Sequence, residues 1–367
     1  MRHFPCIAVL TLAVGLLPAA ARADHKWGLN EGNPDLQSAG QLTFGPDGIL
    51  FVGDAKGAAV FAIDTGDTKS ETASAARTIA NLNERFEVLL GKGTKIAIHD
   101  MAVNPLSGNV YLSISHGEDP KPAIMRVAAP DVLTEVKLAD IPFLKADIPN
   151  PPEDKVTGEG PRARNRRNEA ITDLAYVEGK LLVSGSINAA ASSTVYQIPF
   201  PFAEVHGGTN IEIYHGAHGK LEDTATIRTF VPFTINGEAS LLAGFTCTPL
   251  VRFPLDSLEE GEKVRGTTVA ELGNRNVPLD MIVYKKGGEE FVLMANSVRG
   301  VMKISTQDIG RKEGIEKQVG GGGTAGQEFK TLQELDGTVQ VDRLGDSQAV
   351  LIVQKDGNLS LKTIPLP

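Results

Sequence analysis

The chain alternates between short apolar runs and turns built from Gly, Pro, Asn and Asp, with few helix-length amphipathic stretches. Residues 42–65, LTFGPDGILFVGDAKGAAVFAIDT, show the unit: a strand, a Pro-Asp-Gly turn, a strongly apolar strand, a polar turn and a third strand. IHDMAVNPLSGNVYLSISHG (98–117), followed by PAIMRVAAP, repeats it, as do segments beginning at 171, 229, 278 and 334. Taking the first strands to start at Gln41, Asp100, Asp173, Pro232, Asp280 and Asp336 gives intervals of 59, 73, 59, 48 and 56 residues. A unit of three or four strands recurring at this period is the sign of a β-propeller. Each middle strand is apolar throughout because neighbouring blades cover both its faces. The expected fold is all-β, a six-bladed β-propeller, with seven blades as the competing count. A β-sandwich explains the alternation but not the period.

Outer strands are expected at ARTIANL (76–82), TEVKLAD (134–140), NIEIYHG (210–216), RGTTVAEL (265–272) and GIEKQVG (314–320). The last unit has three strands, and HKWGLNEG (25–32) is expected to supply its fourth and close the ring. The longest interval holds a Pro-rich, charged stretch, expected to be a loop inserted in the single domain 24–367 at about 141–169.

The N-terminus reads differently. Arg2 and His3 precede an apolar run to Leu17, and Ala21-Arg22-Ala23 gives a small-residue cleavage pattern. Residues 1–23 are expected to be a signal peptide cut after Ala23, which predicts a soluble periplasmic or secreted protein with no membrane span. The whole chain carries a net charge of −9, and loss of two arginines with the leader takes this to −11. That balance argues against nucleic acid as a partner. Cys6 leaves with the leader and Cys247 remains alone, so no intrachain disulfide is expected.

GPDGILFVGDAKGAAVFAID closely resembles a blade of the NHL-repeat and SMP-30/gluconolactonase-paraoxonase-like propellers, which share a turn-DG-x-L-apolar-x-x-D pattern. The likeness is clear in the first blade, partial in the second, third and fifth, and weak in the others. A single Trp argues against WD repeats.

In a propeller, the starts of first strands and the ends of second strands converge at one mouth of the central channel. The second-strand ends are Asp54, His116, Asn188, Cys247, Asn296 and Asp356. Carboxylates and Asn carbonyls suit calcium, and like charges around a narrow channel call for a cation or protons. The gluconolactonase-like resemblance implies a calcium there that polarises a lactone or ester carbonyl. The matching positions are Asp173, Asn188, Asp280 and Asn296, with Asp100 next. Glu31 or Gln41 would have to stand for that family's first-blade glutamate, and Pro232 and Cys247 depart from its pattern.

Cys247 and His116 raise a copper or zinc alternative. His99 is expected to point into the blade sandwich. His206, His215 and His218, in HGGTNIEIYHGAHG, read as outer-strand and loop surface, with metal binding a minor option. The run RARNRR carries Arg162, Arg164, Arg166 and Arg167 just before the third blade. Arginines there can pair with the ring acids or take a small anionic ligand by bidentate hydrogen bonds. Asn274, Arg275 and Asn276 form a second candidate ligand edge, and Asp54, His116 and Cys247 complete the ligand set. No nucleophile elbow or zinc-protease motif is present, so no catalytic residue is assigned. Three functions stand open. The first is an exported propeller that binds a ligand or protein partner at its polar mouth, with a cation. The second is a calcium-dependent lactonase or esterase. The third is a soft-metal or redox accessory protein using Cys247 and His116.

Overall fold

Leu50, Phe51 and Val52 are almost wholly excluded from water, as are Leu241, Leu242 and Ala243, which shows why these second strands lack polar alternation. Each lies in a sheet flanked by two others, so both its faces are core. The computed structural model describes residue 1 and residues 25–69, 75–160, 163–188, 192–247, 249–311 and 313–367. The expected signal peptide beyond its first residue, and Arg162, therefore lie outside the described residues. Within them the chain forms the six blade sheets of a six-bladed propeller, antiparallel except where Lys263–Arg265 runs parallel to Thr209–His215 at the edge of blade 3.

The first strands are Leu42–Phe44, Ile96–Val103, Asp173–Val177, Ile227–Ile235, Pro278–Lys286 and Thr338–Leu344. They neighbour one another around a closed ring, but not in chain order. Blade 1 stands between blades 2 and 3, and blade 2 stands between blades 1 and 6. The core clusters agree: Val52 packs with Tyr111 of blade 2, Phe51 with Leu181 of blade 3, and Leu112 of blade 2 with Ile352 of blade 6.

Two strand exchanges produce this order and correct the expected closure. The outer strand of the last blade is Thr78–Ile79, paired through Ile79 to Leu361, rather than the N-terminal piece. Asn30–Gly32 instead borders blade 1, pairing with Ile141–Asp147. Ile141–Asp147 is itself the fourth strand of blade 1, so the segment read as an inserted loop begins with a strand. Its remainder holds a short ribbon, Val156–Thr157 with Arg164–Asn165, and one turn of 3-10 helix. After its third strand the chain skips past blade 2 to edge blade 6. The helix Leu82–Leu90 follows, with Leu82 and Phe86 in the core between blades 2 and 6. The chain then builds blade 2, returns to edge blade 1, and continues into blade 3. The outer strand of blade 5 is Phe329–Leu332, not the segment at 314–320.

Chain direction at the mouth depends on close backbone approach. Gly185, near the end of the second strand of blade 3, faces the segment leading into that blade. A Cβ there would lie 2.1 Å from the carbonyl oxygen of Ala170. Gly185→Ala is expected to lower stability by about 1–3 kcal/mol. The urea midpoint reads this directly, and an unchanged midpoint contradicts it.

Candidate functional site

Four first strands carry a β-bulge near their start: at His99, Arg228, Leu279 and Val339 the register slips by one residue. A bulge places an extra residue in one strand and re-aims side chains. The residues after the bulges are Asp100, Thr229, Asp280 and Gln340, and Gln41 and Asp173 line the same cavity from the other two blades. The cavity they share, of about 730 Å³, is the mouth of the central channel.

Asp100, Asp173 and Asp280 thus come to one mouth from three separate blades. Each carboxylate accepts the N–H of the next residue and one N–H from an adjacent blade. Asp100 takes Met101 N at 2.8 Å and Leu42 N at 2.7 Å. Asp173 takes Leu174 N at 2.8 Å and Phe230 N at 2.6 Å, and Asp280 takes Met281 N and Val341 N, both at 2.7 Å. Asp342, two residues beyond Gln340, does the same with Arg343 N and Val103 N, both at 2.6 Å. All four point the same way around the ring and staple four of its six blade junctions.

These acids are difficult to ionise. Burial pushes Asp173 up to about 7 and Asp342 up to about 6, against the N–H bonds that pull them down. Burial, and then the charge of Asp173, holds Asp100 well above the usual carboxylate range. Burial and then Asp100 do the same for Asp280. Each bonded oxygen keeps a further lone pair, so the four form a channel wall rich in acceptor oxygens. The ligand oxygens of Asp100, Asp173 and Asp280 do not all lie within 4.8 Å of one another; among the described residues His215, His218 and Glu222 are the group that meets this spacing. A direct three-carboxylate cage is therefore not preformed. A cation here would keep waters that reach the carboxylates, as calcium and magnesium often do.

The other candidates separate. Asp54 is buried and spends its carboxylate on Gln37 N, Ser38 N, Ser38 Oγ and Gly57 N, which builds its own loop. Asn296 accepts from Val298 N and Arg299 N and donates to Asn276 Oδ1, while Asn276 donates to the carbonyls of Gly273 and Asn274. These amides hold turns. Asn188 is exposed and its N–H bonds the carbonyl of Asn150. Arg275 is exposed at the tip of its loop. Arg167 donates to the carbonyls of Pro152 and Lys56 and so anchors its loop. Arg164 lines the mouth, and both Arg164 and Arg166 line a neighbouring cleft of about 470 Å³ that also holds Cys247. His116 ends the second strand of blade 2, three blades away from Cys247 in blade 4, so the two are not brought together. His99 lines the mouth rather than the blade sandwich, because the bulge turns it there.

Sequence reasoning missed Arg228, Thr229, Gln340 and Asp342. It set the starts of blades 4 and 6 at Pro232 and Asp336, three residues late and four residues early. With Thr229 and Gln340 as the equivalents, the last three intervals become 56, 51 and 60 residues, more even than before. The alternation in TVQVDRL was the available signal for Asp342.

Solved structures are similar to this chain at low identity and low TM-score. A putative oxidoreductase (glucose dehydrogenase) from Thermus thermophilus is 14% identical, with 92% of this chain and 100% of that one covered at a TM-score of 0.35. Streptogramin B lyase is 9% identical over 92% and 97% of the two chains, at a TM-score of 0.34. A putative gluconolactonase is 9% identical over 92% of each chain, at a TM-score of 0.29. No known protein family and no curated protein matches the sequence. Among the described residues no helix is long and apolar enough to cross a membrane.

Proposed function

We propose that this is an exported propeller that binds a small anionic ligand together with a hydrated divalent cation at the channel mouth. The observation behind this reading is one cavity with half-buried acids in its wall and arginines at its rim. Asp100, Asp173 and Asp280 favour a cation, while Arg164 and Arg228 favour a carboxylate or phosphate group. Oxygen donors at this depth suit calcium better than a soft metal. Glu169 lies 3.8 Å from Arg228, so the rim carries both signs and suits a ligand of mixed polarity.

Calcium titration of the full chain at pH 8 tests the reading. Wild type is expected to bind with an affinity that Asp173→Asn/Asp280→Asn lowers by at least about tenfold, the scale of one lost charge interaction. Equal binding by both proteins, or none by either, contradicts it.

Hydrolysis of a lactone is the second reading, and the Asp173 carboxyl, pushed up to about 7, favours it. A group titrating near neutrality can act as general base or acid on a bound ester. Calcium-dependent lactone turnover lost in Asp173→Asn would support it, and turnover unaffected by that change would remove it.

A further inference from the structure

Blade 3 ends in a hairpin that its propeller role does not explain. Thr209–His215 runs antiparallel to Lys220–Glu222, with Ile213 opposite Glu222 and His215 opposite Lys220. His215 and Glu222 therefore sit diagonally on one face of the ribbon, within side-chain reach. The turn between them folds His218 over the same carboxylate. His215 Nδ1 lies 2.8 Å from Glu222 Oε2, and His218 Nδ1 lies 2.7 Å from Glu222 Oε1. The two imidazole rings are 3.9 Å apart at their centres.

Proton accounting makes this a poor resting place for three side chains alone. A neutral imidazole carries one N–H. If both Nδ1 atoms donate to Glu222, His215 Nε2 is a bare acceptor. It is enclosed by protein and has no hydrogen-bond partner. A metal bound at Nδ1 moves the proton to Nε2 and turns that atom into a donor. Glu271 takes the N–H of Gly216 at the same turn with one oxygen; its other oxygen, Oε2, is also buried without a partner and is not hydrogen-bonded to His215 Nε2.

We propose that His215, His218 and Glu222 form a binding site for a divalent transition metal of the zinc class. Two imidazole nitrogens and one carboxylate suit such an ion and do not suit calcium. Three protein ligands leave a fourth position open. The three side chains line one cleft with Arg164, Arg166 and Arg228, which would favour a small anion as an exchangeable ligand, although Glu169 and Asp223 line it too. Cys247 lines the cleft but is outside the group of close donor atoms. The site lies beside the channel mouth and stands independently of the calcium reading.

Titration of the chelator-stripped full chain with zinc alone tests the site, with cobalt(II) absorption as a report on the ligands. One equivalent is expected to bind. His218→Ala and Glu222→Gln should each weaken it by more than about 100-fold, the upper loss seen for residues that only orient a ligand. The His218 side chain is 47% exposed, so its truncation leaves the core intact. Cys247→Ser and Asp280→Asn should bind zinc as wild type does. No zinc binding by wild type, wild-type affinity in both ligand variants, or a cobalt–thiolate band that Cys247→Ser abolishes would overturn the assignment.

Discussion

Asp67→Ala is expected to destabilise the protein by about 3–5 kcal/mol, although Asp67 lies in a connecting segment. This carboxylate accepts from Ser107 Oγ at 2.8 Å, Tyr111 Oη at 2.9 Å and Asn109 Nδ2 at 3.0 Å. All four residues are buried. The segment leaves blade 1, passes blade 2 and delivers Thr78–Ile79 to the edge of blade 6. Asp67 fastens it to blade 2 on the way. Truncation leaves Ser107 Oγ and Asn109 Nδ2 without this acceptor, each costing about 1–3 kcal/mol, and leaves Tyr111 Oη with only the long 3.4 Å contact to Thr65 Oγ1. Asp67→Asn keeps an acceptor oxygen and is expected to lose less than half as much. Urea unfolding gives both values. A loss below about 1 kcal/mol for the alanine variant would contradict this role of the network.

The second large effect is the pH dependence of stability. Asp173 and Asp342 titrate at about 7 and about 6 when folded, against 3.8 for a free aspartate, and Asp100 and Asp280 are raised in the same direction. The folded protein therefore holds more protons than the unfolded chain between about pH 4 and pH 7. The stability these groups contribute is fully present below about pH 4 and is lost as pH rises through their folded pKa values. Wild type should lose several degrees of Tm between pH 5 and pH 8, at roughly 2–4 °C per kcal/mol. The Asp173→Asn/Asp342→Asn variant should show a flatter profile. Other carboxylates contribute the opposite slope, so the difference between the two proteins is the readout. Parallel profiles would mean that the channel acids are not strained by their burial. Calcium should recover more Tm at pH 8 than at pH 5, because only the ionised ring attracts it.

Much of the fold was legible because its unit is local. Turn chemistry and apolar second strands set six repeats, and Asp100, Asp173 and Asp280 fell at equivalent places within them. The closure was not legible. ARTIANL and HKWGLNEG are short edge segments of weak pattern, and nothing in either says which sheet edge it pairs with. That choice is fixed by long-range contacts such as the Asp67 network. Bulges also shift register without a mark in the hydrophobic pattern, which misaligned blades 4 and 6 and reversed the expected direction of His99. The turn amides Asn276 and Asn296 look like ligands in sequence because a ligand and a turn use the same side-chain oxygen. His215 and His218 were legible only as a minor metal option and Glu222 was missed, for another reason. Their spacing of three and then four residues would suit one helix face, but HGAHG reads as a turn, and it is the hairpin register that brings them together.

A strontium-soaked crystal tests the central claim most directly, since strontium takes oxygen ligands as calcium does and scatters anomalously. The expected anomalous peak lies in the channel mouth, bonded directly or through one water to Asp100, Asp173 and Asp280. A mouth without a peak, at strontium concentrations that occupy sites elsewhere on the protein, would contradict the cation-binding mouth.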